Sequence, residues 1–362
     1  MKNVMKIMFV VFGSFAILSA ANAGPVEVTG TAKATYNISS GDSATASNNK
    51  NKAVGITNEL AFTGTGETDQ GWTWKYQVEL DDNADGVSTF DDTRLEITTG
   101  MGTVAAYNTE GSLSVKYKQS HAAYGVGSDN GASGLFQYGT NISSYNNIQL
   151  HTAADMLPYS TSIKVGYAPG GSSGKVSGNS SGSANTLSSA TEVQLQTTPI
   201  DGLVISGSYM QKNDEGGLQK YETGYAGVAY TYGNVSVGAT KGGVSNNVAS
   251  VNDEIAASTK LTATTAATVK AFENEAWSIG YAVNDALSLS YGEETSNALK
   301  RTKTGATAAD VKNNVELKVS TIQGAYTMGG FTTFLMLKDI ENEAYATAVD
   351  QKETIIGLNM AF

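Results

Sequence analysis

Apolar and polar side chains alternate with a period of two along most of the chain. The pattern is clearest at the C-terminus, where every second residue is apolar: Ile356, Leu358, Met360 and Phe362. It recurs at 74–80, 163–167 and 287–291. Such alternation predicts β-strands with one apolar face and one polar face. A soluble β-sandwich and a membrane β-barrel both satisfy this pattern.

The connections between the predicted strands alternate between short and long. The short ones, rich in Gly, Asn and Asp as in hairpin turns, lie at 64–71, 100–102, 155–159, 199–202, 233–234, 284–285 and 329–330. The long ones lie near 37–52, 81–92, 109–146, 170–190, 212–220, 242–268, 294–313 and 340–351. A sandwich has no reason to sort its loops by length. We therefore predict an all-β fold, a transmembrane antiparallel β-barrel of about 16 strands with short periplasmic turns and long outer loops.

The first residues have the layout of a secretory signal. Lys2 and Lys6 precede an apolar run at 7–18 that is too short to span a bilayer as a helix. Ala21 and Ala23 then form an A-x-A cleavage site around Asn22. This organisation predicts a signal peptide at 1–23 and a single barrel domain at 24–362.

Composition narrows the function classes. The formal net charge is -11, with 23 Lys and Arg against 34 Asp and Glu. That balance argues against a nucleic-acid partner, because such proteins need basic surface to replace phosphate counterions. The chain has 0 cysteines, which excludes disulfides, thiolate metal sites and cysteine catalysis.

Three segments resemble parts of the general porins of Gram-negative bacteria. They are the terminal strand that ends in Phe362, the segment 94–104 and the long loop 109–146. The resemblance implies a sixteen-stranded trimeric barrel in the outer membrane, with loop 109–146 folded into the lumen. It also implies that the alternating residues Ile356, Leu358, Met360 and Phe362 form the signal read by the barrel-assembly machinery.

The function implied by this resemblance is passive diffusion of small hydrophilic solutes and ions, without enzymatic activity. The implied partners are two further copies of the chain, outer-membrane lipid and lipopolysaccharide. Two alternatives remain at this stage. One is a substrate-selective channel on the same fold, and the other is a secreted β-rich adhesion or binding protein without a pore.

The polar phase of the strands and the inserted loop supply the candidate pore-lining residues. The wall candidates are Lys33, Lys75, Glu79, Arg94, Glu96, His151, Lys164, Lys318 and Lys338, and the loop candidates are Lys116, Lys118, His121 and Asp129. Counted with Glu27, Glu59, Glu316 and Glu353, the wall is close to neutral, so the excess negative charge lies mostly in the loops. We expect a mild preference for cations that fades with salt. Lysines at the narrowest point would reverse it.

The segment 81–92 matches a calcium-loop pattern. The candidate ligands are Asp81, Asn83, Asp85, Thr89 and Asp92. The flanking segments are predicted strands, so an EF-hand is excluded, and the alternative is a solvated acidic loop. No cofactor other than this possible calcium is expected. His121 and His151 are the only histidines, and polar lumen residues are the preferred interpretation over a catalytic or zinc site.

Overall fold

The computed structural model describes residues 22–41, 50–81, 89–116, 120–129, 136–153, 155–169, 189–213, 220–246, 257–258, 260–262, 266, 269–302 and 311–362. After a two-residue strand β1 (Asn22–Ala23), sixteen strands form the wall. They are β2 (Glu27–Gly41), β3 (Lys50–Glu67), β4 (Thr73–Asp81), β5 (Thr89–Thr99), β6 (Gly102–Asn108), β7 (Asn147–Thr152), β8 (Ser162–Pro169), β9 (Ser189–Ile200), β10 (Leu203–Lys212), β11 (Glu222–Tyr232), β12 (Val235–Ser245), β13 (Ala271–Ala282), β14 (Leu287–Thr302), β15 (Val311–Met328), β16 (Phe331–Glu341) and β17 (Gln351–Ala361).

The wall is a closed antiparallel barrel. Each strand from β2 to β16 pairs with the next one along the chain. The last strand, β17, pairs with β2 from Gln351 opposite Gly41 to Ala361 opposite Thr31. Closure leaves every wall strand with a neighbour on both sides, as a lipid environment requires. The predicted all-β barrel with sixteen strands is confirmed.

The outer face of the barrel carries the apolar phase of the alternation. Trp277, Leu289 and Ile356 are each about half exposed and point away from the lumen. Their neighbours in sequence, such as Ser278 and Ser290, lie on the alternate phase and are buried inside. This apolar-out arrangement suits lipid contact. The described residues contain no helix with the length and apolar character needed to cross a membrane.

The tight turns agree with the sequence prediction, whereas the long loops 37–52 and 294–313 are shorter than predicted. The chain reverses at 100–101, 201–202, 233–234 and 329–330, all within the predicted turns. At 37–52, β2 continues to Gly41 and β3 begins at Lys50. The predicted loop 294–313 is wrong at both ends, because β14 continues to Thr302 and β15 begins at Val311. Their ladder is unbroken from Leu287 opposite Tyr326 to Thr302 opposite Val311. The signal-peptide prediction stays a prediction, since 1–21 lie outside the described residues.

Candidate functional site

The chain between β6 and β7, residues 109–146, is called the inserted loop, and its described parts, 109–116, 120–129 and 136–146, lie inside the barrel. Its backbone amides donate hydrogen bonds to wall hydroxyls: Val115 N to Ser208 Oγ at 3.1 Å, His121 N to Ser278 Oγ at 2.8 Å, and Ala123 N to Ser290 Oγ at 2.7 Å. These partners lie on β10, β13 and β14. Serine suits this use because its short hydroxyl projects from a lumen-facing position and accepts a backbone N–H.

The returning arm of the inserted loop is fixed in the same way. Tyr225 Oη donates to the carbonyl of Tyr138 at 2.9 Å, and Ile142 N donates to Glu192 Oε2 at 2.6 Å. Glu294 holds both arms together, because its carboxylate accepts from Ser128 Oγ at 2.7 Å and from Tyr138 Oη at 2.5 Å. The loop therefore lies against the wall from β8 to β17.

An apolar cluster fills the lumen between the inserted loop and this wall. Its buried members include wall residues and loop residues together: Val115, Phe136, Tyr138, Tyr225, Phe272, Val315, Leu317, Val319, Ile340 and Tyr345. A second cluster packs Tyr124 of the loop against Phe334 with a ring separation of 3.5 Å. Burial of this apolar surface stabilises the loop on one side of the lumen. The opposite side of the lumen is left open to solvent.

The opposite side of the lumen, formed by β2 to β5 with the inward residues His151 of β7 and Lys164 of β8, is called the open wall. Its inward side chains are partly or fully exposed, apart from the buried Ala61 and Gln77. Its charged members are Glu27, Lys33, Glu59, Glu67, Lys75, Glu79, Asp81, Asp92, Arg94, Glu96 and Lys164. A cavity of about 820 Å³ adjoins Lys75 and Glu96 at the turn end of these strands. Acidic residues outnumber basic ones on this surface.

Arg94 is the centre of the charge network on the open wall. Its Nη2 lies 3.2 Å from Glu79 Oε1 and also contacts Glu110, which begins the inserted loop. On the next rung, Tyr107 Oη donates to Glu96 Oε1 at 2.8 Å. Arg94 therefore lies between two carboxylates, and its charge is largely balanced by them.

Two lysines predicted to line the pore do not contact its solvent. Lys318 lies on the outer face of β15, where its Nζ is 3.0 Å from Glu293 Oε2, and Glu316 shares that outward phase. The placement of Lys318 in the lumen was therefore wrong. Lys338 does point inward, but it is fully buried beneath the inserted loop, with Nζ 2.8 Å from Glu353 Oε2.

The candidate pore-lining residues of the inserted loop lie at separate positions along it. Lys116 Nζ lies 5.1 Å from the ring centroid of Tyr138, a cation–π distance. His121 lies against β13, and burial lowers the pKa of its imidazole. Asp129 ends the short 3-10 turn Gly127–Asp129. Lys118 lies outside the described residues.

Sequence reasoning missed the residues that hold the loop, above all Glu294. It fell in the predicted loop 294–313, although Ser290, Gly292 and Ser296 continue an inward phase of small polar residues through it. Reading that phase onward from Ser290 places Glu294 inside the barrel. The alternation therefore indicated an inward position for Glu294, but the predicted loop boundary excluded this residue from the strand.

The calcium hypothesis for 81–92 stays a prediction. Asp81 and Thr89 are ladder partners at the ends of β4 and β5, and Asp92 accepts a hydrogen bond from Thr109 Oγ1 at 3.0 Å. Asn83 and Asp85 lie outside the described residues. Within the part of the chain that the structure describes, no group of three or more His, Asp or Glu is placed to hold a metal ion.

Residues 10–344 match a family model described as Gram-negative porin. A search of curated protein sequences found no match to the chain.

Among solved structures, the chain is similar to OmpF of Salmonella typhi in complex with daunomycin, at 12% identity and TM-score 0.64, over 93% of this chain and 97% of that one. It is also similar to an anion-selective porin from Comamonas acidovorans, at 11% identity and TM-score 0.64, over 94% of this chain and 100% of that one. Vibrio cholerae OmpT lacking its loop L8 gives 14% identity and TM-score 0.62, over 94% and 100%. At these identities the likeness supports the fold.

Proposed function

Because the chain belongs to the Gram-negative porin family, we propose that solutes cross it between the open wall and the inserted loop. The protein is an outer-membrane channel for passive diffusion of small solutes. The observation that supports this path is the apolar packing of the inserted loop against β8 to β17, which leaves most inward side chains of β2 to β5 in contact with solvent. The channel is therefore narrower than the full lumen.

We further propose that this path prefers cations. The two lysines that would have countered the acids, Lys318 and Lys338, lie outside the barrel and beneath the loop. Lys116 lies over Tyr138 on the inserted loop. The exposed acids of the open wall, including Glu59, are therefore in excess over the lysines that share the solvent with them. Charge in a wide wet pore acts over about one Debye length, roughly 8 Å at physiological salt, so the preference is mild.

The path is tested by cysteine modification, since the natural chain has 0 cysteines. Thr57→Cys introduces a thiol on the inward phase of β3, opposite Lys33. Met336→Cys, the matched control, also faces inward but is 0% exposed beneath the inserted loop. A negatively charged methanethiosulfonate reagent should reduce the single-channel current of Thr57→Cys and leave Met336→Cys unchanged. The reverse result would place the path on the other side of the lumen.

We infer the assembly from the outward face of the first wall strand, β2. We propose a homotrimer in which β2 presents the small outward residues Gly30, Ala32 and Ala34 to a neighbouring barrel. A photo-crosslinking residue at position 34 should then join neighbouring subunits, whereas the same residue at position 237, on the far outer face, should not.

We also propose that residues 1–23 are removed on export, that the strand ending in Phe362 is read by the assembly machinery, and that lipopolysaccharide contacts the finished barrel.

We propose that the channel acts without catalysis. His151 Nε2 lies 2.8 Å from Gln149 Oε1, an amide oxygen that cannot act as a nucleophile or general base. His121 contacts Ser278 through its backbone N–H and not through its ring. Neither ring is placed to activate a hydroxyl in these contacts. Purified protein that hydrolyses ester or glycoside substrates above a Phe362-deleted control would contradict this proposal.

A further inference from the structure

The outer loop between β16 and β17, residues 342–350, turns inward and buries one aromatic side chain. Tyr345 is 0% exposed. Its hydroxyl accepts a hydrogen bond from Gln137 N at 2.8 Å and lies 2.8 Å from Ser296 Oγ. Gln137 belongs to the inserted loop and Ser296 to β14. One hydroxyl therefore joins the outer loop, the inserted loop and the wall.

The rest of Tyr345 is held as firmly as its hydroxyl. Its ring lies 5.2 Å from that of Phe272 on β13. Its carbonyl accepts a hydrogen bond from Nζ of the buried Lys300 at 2.5 Å. Since ring, carbonyl and hydroxyl contact three different elements, the residue has a single position relative to all of them.

The backbone around Tyr345 is strained. Four residues other than glycine have left-handed φ angles: Asn342 at 54°, Ala344 at 54°, Tyr345 at 59° and Ala348 at 60°. Such angles are uncommon outside glycine and persist only where the surroundings enforce them. The contacts of Tyr345 contribute to that enforcement, together with hydrogen bonds such as Asn342 Nδ2 to the Glu316 carbonyl at 2.9 Å and Ala348 N to Asn342 Oδ1 at 3.1 Å. Without the contacts of Tyr345, fewer interactions hold these angles.

A second outer segment depends on the same loop. Leu261 N donates to the carbonyl of Ala344 at 2.8 Å, and Thr347 N donates to the carbonyl of Ala257 at 3.0 Å. These bonds flank Tyr345 in sequence on either side. Movement of residues 342–350 would therefore break or displace the hydrogen bonds to residues 257 and 261 as well as the one to Gln137.

We propose that Tyr345 is a positioning residue that pins the outer loop onto the inserted loop and so fixes the cross-section of the pore. This rests on the proposed function, because the inserted loop is taken as one boundary of the path. Loss of the hydroxyl removes the link at Gln137 and lets the strained loop relax. The inserted loop faces the open wall across the lumen, so displaced segments enter the path.

The direct test compares Tyr345→Phe with wild type in single-channel recordings. The variant keeps the ring that packs on Phe272 and removes only the hydroxyl. We expect frequent partial closures and a several-fold rise in open-channel noise. The matched control is Tyr326→Phe, whose side chain is 48% exposed on the lipid face and should leave the current steady. A steady current through Tyr345→Phe overturns the proposal.

A rescue experiment separates this role from a general loss of stability. A Cβ at Gly127 would lie 3.2 Å from the Cβ of Thr321 and 3.1 Å from Glu294 Oε2, so a small outward shift of residue 127 gives the separation of about 3.5–4.5 Å found in disulfides. Gly127→Cys with Thr321→Cys therefore fastens the inserted loop to β15 independently of Tyr345. Oxidation should quieten the current of Tyr345→Phe, and reduction should restore the noise. Noise that persists after oxidation would show that Tyr345 does not act through the inserted loop, and would overturn the proposal.

Hydrogen exchange provides a second readout that does not depend on conduction. In Tyr345→Phe the amides of Leu261 and Thr347 should exchange several-fold faster, while amides of the β4–β5 ladder should not change. If Tyr345→Phe changes the exchange rates at Leu261 and Thr347 no more than those in the β4–β5 ladder, the proposal is overturned. If Tyr345→Phe does not insert, Ser296→Ala removes the wall contact of the same hydroxyl and is tested in the same way. Wild-type protein that conducts nothing would instead refute the proposed function.

Discussion

Phe362 and Gly30 exchange two backbone hydrogen bonds across the seam of the barrel. Gly30 N donates to Phe362 O at 2.9 Å, and Phe362 N donates to Gly30 O at 3.1 Å. The aromatic ring lies over the glycine, since a Cβ at position 30 would be 2.8 Å from Phe362 Cζ. The pair extends the β17–β2 ladder by one residue beyond Ala361 and Thr31. The terminal residue thus completes the closure of the sheet.

Deletion of Phe362 should impair assembly of the barrel in the outer membrane. The deletion removes both hydrogen bonds to Gly30 and leaves backbone groups unpaired at a lipid-exposed seam. The yield of inserted, heat-modifiable protein measures the effect, and we expect it to fall several-fold. Phe362→Tyr keeps the bonds and the ring and serves as the control. Wild-type yields from the deletion would contradict the role given to this seam.

Replacement of Arg94 by Gln should strengthen the preference for cations. It removes a positive charge and frees Glu79 and Glu110 in the path, so the ratio of cation to anion permeability should rise by a factor on the order of 2 at low salt. The measurement is the reversal potential across a salt gradient. Lys318→Gln is the matched control, because it removes an equal charge from the outer face and should change nothing. Equal shifts in the two variants would contradict the placement of both residues.

The buried pair of Lys338 and Glu353 predicts an asymmetry between single and double variants. Lys338→Met leaves the Glu353 carboxylate buried without its partner, which should cost about 3–5 kcal/mol of stability. Lys338→Met with Glu353→Leu removes both charges and should recover most of that loss. Denaturant unfolding in detergent gives both values. A double variant as unstable as the single one would mean that the charges do not depend on each other.

Acidification should destabilise the protein through His121. Burial is the larger effect on this group and lowers its pKa, against a backbone hydrogen bond with Val237 that raises it. The folded protein therefore protonates this imidazole less readily than the unfolded chain, in which the pKa is about 6.5. Because the folded state disfavours the proton, stability should decrease below that pH relative to His121→Gln. Thermal unfolding of both proteins at pH 7.5 and pH 5.5 checks the sign, and an increase for wild type would contradict it.

Much of the fold was available from the sequence because alternation and loop length are both local signals. The terminal alternation up to Phe362 and the tight turns at 233–234 and 329–330 predicted strands that the structure contains. The inserted position of 109–146 came from the porin resemblance alone. The length of this segment does not indicate which part of the barrel wall it packs against. The packing depends on contacts between side chains far apart in sequence, such as Tyr138 and Tyr225.

The error at Lys318 has a physical reason. Alternation reports which face meets an apolar environment, and in most of the wall that environment is lipid. In the outer part of β15 it is the inserted loop, since the inward residues Val315, Leu317 and Val319 are buried in the lumen cluster. The polarity of the strand therefore inverts there, and the charged residues Glu316 and Lys318 point outward. A rule of polar inside and apolar outside fails wherever loops fill the lumen.

The reversal potential of the wild-type channel across a potassium chloride gradient tests the proposed path most directly. If solutes pass along the open wall, the sign at low salt should show a preference for potassium over chloride, because the acidic side chains of that wall outnumber its basic ones, Lys33, Lys75, Arg94 and Lys164. The preference should shrink as ionic strength rises and the Debye length falls from about 10 Å at 0.1 M toward about 3 Å at 1 M. A clear preference for chloride at low salt would contradict the path and place lysines of the inserted loop at its narrowest point.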